Sequence, residues 1–207
     1  MLKHTFLFCL LFPALSQAGM DDYFIKIDKH SEVVIKGQTF DSHDYGSAIQ
    51  WNKDYAVTAK HVSFAEGSVY TCSANCDIRF VKRKAESPLY KWRNPEPFER
   101  VIFAGNSSGS KTHISQGEDL NIALYMSGSK VENKPFMPGA NNTILYATNA
   151  KVVHGQSGGP VIGKDGEIIG MVIGETEVVQ NGKEFMVSLY IPYDIIQKEW
   201  NKFQFKG

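Results

Sequence analysis

Short apolar runs rich in β-branched and aromatic residues, broken by clusters of Gly, Asn, Ser and Pro, recur along the chain. Examples are Tyr55 to Thr58, Ile78 to Val81, Ile122 to Tyr125 and Met171 to Ile173. Runs of this length with breakers between them predict strands and turns, hence an all-β protein. The segment Glu32 to Lys36 is also strand-like. Asn181-Gly182, between Val178-Val179 and Phe185, predicts a tight hairpin. One stretch departs from this pattern. After Pro192, residues Ile195, Ile196 and Trp200 fall on one face of a helix expected over about 192–203, which would dock by that face.

The first residues are an address rather than part of the fold. Lys3 and His4 precede an apolar run from Thr5 to Leu15, and Ser16-Gln17-Ala18 closes it with small residues. This is the pattern of a secretory signal peptide over 1–18, cleaved after Ala18 to leave a mature chain that begins near Gly19. The run is too short to span a bilayer, and no later segment is long and apolar enough. A soluble secreted or periplasmic protein is expected.

Cleavage removes Cys9 and leaves Cys72 and Cys76. In an oxidising compartment their pairing is expected. A zinc site at the same spacing would need further ligands that no adjacent Cys or His supplies. So small a loop contributes little chain entropy, so a disulfide there would chiefly fix local geometry.

With 207 residues the chain can form one large domain or two small units sharing an interface. A formal net charge of zero gives no electrostatic reason to expect nucleic acid or an anionic membrane as partner. Lys82-Arg83-Lys84 reads as a solvated loop or strand end. No metal cluster, phosphate loop or internal repeat is visible, so no cofactor is expected.

Chemistry concentrates at Gly155-Gln156-Ser157-Gly158-Gly159-Pro160. Glycines allow tight backbone conformations closed to other residues, so the amides of Gly155 and Ser157 can converge on one point and form an oxyanion hole. Ser157 would be the nucleophile. A serine hydroxyl is weak at neutral pH until a base removes its proton. His61, which ends the strand-like run from Tyr55, is the candidate base.

On these two motifs, Val57-Thr58-Ala59-Lys60-His61 and Gly155 to Pro160, the chain resembles the trypsin-like (chymotrypsin-fold) serine endopeptidases from about Gly46 to Ile173. The resemblance implies two six-stranded antiparallel β-barrels with the active site in the cleft between them. Barrel one would cover about 46–127 and barrel two about 128–190, followed by the C-terminal helix, with 19–45 as an N-terminal extension. It implies a secreted enzyme that hydrolyses protein or peptide substrates through a Ser-His-Asp triad.

For the acid, Asp119 in Gly117-Glu118-Asp119-Leu120-Asn121 resembles the family's acid-bearing segment, although Asn121 departs from the small residue usual there. Asp77, before Ile78 to Val81, is the alternative. Only 16 residues separate Asp77 from His61, too few for two strands and their connections, which favours Asp119 at a separation of 58. If no carboxylate reached His61, the chain would be an inactive pseudoprotease that binds peptides or proteins. A β-rich adhesion or carbohydrate-binding module is the more distant alternative.

Gln156 stands where digestive members of the family carry an Asp that pairs with a newly cut amino terminus. A site formed without propeptide removal is therefore expected. By the family's offsets Lys151 would lie at the base of the substrate pocket, with His154 in the same segment. Val172 and Ile173 would line its walls and Glu175 its rim. Lys151 in that position would favour an acidic side chain. If it points to solvent, the pocket is small and apolar.

Overall fold

A computed structural model describes residues 17–73, 75–108, 111–127, 130–132, 143–180 and 182–205. Most of the expected signal peptide, and Asn181 of the expected hairpin turn, lie outside this set.

A short helix α1 (Gln17–Met20) and a 3-10 turn (Asp21–Tyr23) lead into β1 (Ile25–Ile35) and β2 (Gln38–Gln50). β3 (Tyr55–Thr58), β4 (Ser68–Thr71) and β5 (Arg79–Lys82) complete the first sheet, in the order β1-β2-β3-β5-β4. The remaining strands are β6 (Arg100–Ser107), β7 (Lys111–Ser127), β8 (Lys130–Glu132), β9 (Thr143–Thr148), β10 (Pro160–Ile162), β11 (Ile168–Gln180) and β12 (Lys183–Pro192). They form a second sheet ordered β6-β10-β11-β12-β9-β7-β8, and a further pairing of β6 with β7 closes six of them into a barrel.

The strands follow the expected local code. At the β11–β12 hairpin Gln180 faces Lys183, and Gly182 has the positive φ of 73° that such a turn requires. Helix α2 (Tyr193–Gln204) buries Ile196 and Trp200, as the apolar stripe predicts. Trp200 packs on Phe80 and Tyr55, with ring centroids 5.0 and 5.2 Å apart, so the helix seals the first sheet.

Three expectations about domain layout change. The first body has five strands among the described residues. Residues 25–45 are part of that sheet, because β1 and β2 form a long hairpin paired from Ile25–Ala48 out to Ile35–Gln38. The boundary between the two bodies lies before Arg100 rather than near residue 127, since β6 and β7 both belong to the second sheet. Strand pairing is non-local, and the spacing of apolar runs does not specify it.

The connection between the bodies is held firmly. Trp92 bridges to Ile168, and Arg93 N–H donates to Ile168 O at 3.0 Å. The Arg93 guanidinium donates to both oxygens of Glu99 at 2.9 and 2.6 Å, and to Asp165 at 2.7 and 3.0 Å. The side chain of Glu99 is only 1% exposed. Burial alone would push its carboxyl up, but hydrogen bonds from Arg93 and from the amides of Glu96 and Lys164, with the Arg93 charge, hold it below the ordinary value of 4.5.

Removing one partner of a buried pair leaves the other uncompensated. Arg93→Ala is therefore expected to destabilise the fold by about 3 kcal/mol, measured by urea unfolding near pH 7. Because the folded-state value of Glu99 is depressed, the stabilisation is complete above pH 4.5 and fades as pH falls through that lower value. The gap between wild type and variant should close in the acid arm of the same titration. A constant gap down to pH 2 would contradict this assignment.

Candidate active site

His61 lies three residues beyond the end of β3, in a turn where Val62 N–H donates to Ala59 O at 3.1 Å and Ser63 N–H to His61 O at 2.8 Å. Its neighbour is set by the pairing of β3 with β5, which puts Thr58 opposite Arg79. Three residues past Thr58 and two before Arg79 therefore meet at one end of the sheet, and these are His61 and Asp77. The Asp77 carboxylate takes the His61 N–H at 2.9 Å on one oxygen and faces Nδ1 of the ring at 2.6 Å with the other. The hydrogen bond that His61 donates to Asp77, with the carboxylate's charge, raises the imidazole above its ordinary value of 6.5 despite the opposing effect of burial. Nδ1 carries the proton shared with Asp77, which leaves Nε2 as the free basic nitrogen.

A disulfide shapes the loop that presents Asp77. Cys72 and Cys76 are bonded, which removes the zinc alternative. Cys72 N–H donates to Ile78 O at 3.1 Å, and Ile78 N–H approaches Cys72 Sγ at 3.1 Å. The four-residue spacing closes a tight loop whose last step delivers Asp77.

The expected partner of His61, Asp119, is elsewhere. It sits on β7 of the second sheet, 2% exposed. Tyr190 O–H donates to its Oδ2 at 2.7 Å and Asn121 N–H to its Oδ1 at 2.7 Å. Burial and the charge of Asp119 both hold the Tyr190 hydroxyl protonated. The 16 residues between His61 and Asp77 suffice because one short strand, β4, rather than two, intervenes.

Ser157 arrives on the loop before β10, and the glycine after it docks that loop on the first sheet. Gly158 has φ +83°, and a Cβ there would lie 2.0 Å from Ser47 O and 2.4 Å from Thr58 Oγ1. Ser47 N–H donates to Ser157 O at 2.9 Å. The Gly155–Pro160 loop thus abuts the end of β3 that runs on to His61. Ser157 Oγ donates to Ile173 O at 3.4 Å. Among the described residues, the N–H groups of Gly155 and Ser157 have no backbone or side-chain acceptor. Gln156 N–H donates to Val153 O at 3.1 Å, and Gly159 N–H to Gln156 O at 2.8 Å.

Gln156 is fully buried. Its Oε1 accepts from Val153 N–H at 2.9 Å, and its Nε2 donates to His113 O at 3.1 Å and Phe103 O at 3.5 Å. A neutral amide bonded to backbone groups thus braces the loop from inside the second barrel.

The expected pocket residues divide. Lys151, His154 and Glu175 are exposed, and Ile173 is 8% exposed beside the Ser157 hydroxyl. Val172 is fully buried in a cluster with Tyr190 and Ala150 and is not a wall of an open pocket. Val172 O and N instead bond Gly158 N–H and Gly159 O at 2.8 and 2.9 Å, so this strand fixes the loop that carries Ser157. Two residues that sequence reasoning passed over are Ser47 and Ser188. Ser188 is buried and accepts Val152 N–H at 3.0 Å beneath the 151–154 segment. Neither carries a local signal, because each acts on residues distant in sequence.

No protein-family model and no curated protein matches the sequence. Solved structures do match in fold. The Rv3671c protease from M. tuberculosis in its active form aligns with TM-score 0.63 and 17% identity, over 90% of this chain and 82% of that one. A serine-to-alanine mutant of Rv3671c from M. tuberculosis H37Rv in its inactive form aligns with TM-score 0.61 and 15% identity, over 93% and 92% of the two chains. With its two β bodies, C-terminal helix and likeness to these proteases, the chain has the chymotrypsin-like fold of trypsin-like serine proteases.

Proposed function

We propose that this protein is a secreted serine endopeptidase whose triad is Ser157, His61 and Asp77. The observation that carries this reading is the double engagement of Asp77 with His61, through both its amide and its Nδ1. In the cycle, a rotation of the Ser157 side chain brings Oγ from Ile173 O towards Nε2 of His61. The imidazole takes the hydroxyl proton as Oγ attacks the carbonyl carbon of a peptide bond. The charge that develops on the carbonyl oxygen is met by the amides of Gly155 and Ser157. Asp77 balances the imidazolium, which then protonates the leaving amine as the C–N bond breaks. Water enters, gives a proton to His61 and hydrolyses the ester, releasing a carboxylate and restoring Ser157.

The neutral bracing of Gln156 supports a site that forms without propeptide cleavage, and the disulfide supports maturation in an oxidising compartment. Among the described residues no helix is long and apolar enough to cross a membrane. A competing reading, a binding module that has lost catalysis, draws on the Ser157 hydroxyl facing Ile173 O. A fluorophosphonate probe separates the two. Mass spectrometry should find it bonded to Ser157 in the wild type and absent from Ser157→Ala, and a peptide library should be cleaved by the wild type alone. A folded wild type that takes no label would leave the binding module.

A further inference from the structure

We propose that Ser47 is a positioning residue that holds the oxyanion-binding amides in place, an inference that rests on the protease reading above. Ser47 lies on β2 of the first sheet and is fully buried. All its polar groups are engaged. Its N–H donates to Ser157 O at 2.9 Å, and its carbonyl accepts the Thr58 hydroxyl at 2.6 Å. Its own hydroxyl accepts Asn106 N–H at 2.8 Å and donates to Gly155 O at 2.8 Å. One serine thus ties together β2, β3, β6 and both ends of the Gly155–Ser157 segment.

The bond to Gly155 O has a geometric consequence. The peptide between Gly155 and Gln156 is held at one end by that hydroxyl and at the other by the Gln156 N–H to Val153 O bond of 3.1 Å. The next peptide is held through Gln156 O by Gly159 N–H at 2.8 Å. The Ser157 N–H lies in the second plane and is fixed with it, while the Gly155 N–H, in the preceding peptide, joins the first plane through the Gly155 Cα at φ +92°. The hydroxyl is also the middle of a relay from Asn106 N–H through Ser47 to Gly155 C=O, in which each bond polarises the next. Without it, two buried backbone groups lose their partner, and the Gly155–Gln156 peptide is free to turn, which loosens the link that sets the Gly155 and Ser157 amides relative to each other. The device does for this chain what a charged contact would do elsewhere, with no titratable group and no cleavage event.

The test compares wild type, Ser47→Ala and Ser47→Cys, with rates normalised to sites titrated by the fluorophosphonate probe. Ser47→Ala should lose about 10- to 100-fold in kcat, less than deletion of an oxyanion donor, with KM within about twofold. The acid limb of its pH profile should stay where the wild type has it, because the His61–Asp77 pair is untouched. Ser47→Cys, similar in size but a weak donor, should fall between the two and carries the test if the alanine variant does not fold. A kcat per titrated site equal to wild type, with only thermal stability reduced, would make Ser47 merely structural and overturn the inference while leaving the protease intact. A wild type that neither labels nor cleaves would overturn the protease reading, and this inference with it.

Discussion

Asp77→Asn should lower kcat about 10⁴-fold, the loss seen when a triad imidazole is left in the wrong tautomer. An amide at this position can present its NH₂ group to Nδ1, which then must be the unprotonated nitrogen, and the proton moves to Nε2, where it blocks attack. The residual activity should also show a shifted pH dependence. In the wild type the hydrogen bond and charge of Asp77 raise the His61 value above 6.5, and the base works only when neutral. Loss of the carboxylate therefore moves the acid limb of kcat/KM to lower pH.

The linkage runs the other way for stability. A raised imidazole value means that the charged pair stabilises the fold below pH 6.5, and that this contribution is lost as pH climbs through the raised value. Under the proposed mechanism, activity would rise over the same range in which that contribution is given up. Asp119→Asn is the matching control. Its carboxylate bonds Tyr190 and Asn121, so the expected change is in thermal stability, with kcat within a few-fold of wild type. Steady-state kinetics on both variants decide between the carboxylates. A collapse in the Asp119 variant alone would return the acid role to that residue.

Gly155→Ala is expected to cost about 10²- to 10³-fold in kcat, the scale of a lost oxyanion donor. The residue has φ +92°, and a Cβ would lie 1.8 Å from Asn106 O, a backbone atom of β6 that cannot step aside. The loop must therefore move, and the Gly155 amide moves with it. Gly182→Ala separates this clash from backbone strain alone. Gly182 has φ +73°, and its Cβ would meet nothing within 4 Å, so that variant should lose a little stability and keep its rate. Active-site titration followed by single-turnover kinetics reads both. A Gly155 variant with wild-type turnover would remove this amide from the mechanism.

Much of this site is legible along the chain because its parts are local. A serine among glycines, and a histidine at the end of an apolar run, are written in a few consecutive residues, and the helix stripe of Ile196 and Trp200 repeats within a few turns. Asp119 and Asp77 look alike at that level, since each precedes a strand-like run. They differ in what lies across the sheet. Asp77 precedes the strand that pairs directly with β3, so it returns beside His61 after one short hairpin, while Asp119 is carried into the second barrel beside Tyr190.

The amino-acid sequence by itself determined the strand-rich character and marked out the glycine-flanked Ser157 and His61 as the candidate nucleophile and base, because alternation, glycine and a terminal histidine act through neighbours in the chain. Tertiary structure alone decided which carboxylate meets His61, where one body ends and the next begins, and that a buried serine far from Gly155 holds its carbonyl. Those outcomes depend on which strands exchange hydrogen bonds, a choice settled by burial and closure of whole sheets and written in no single segment.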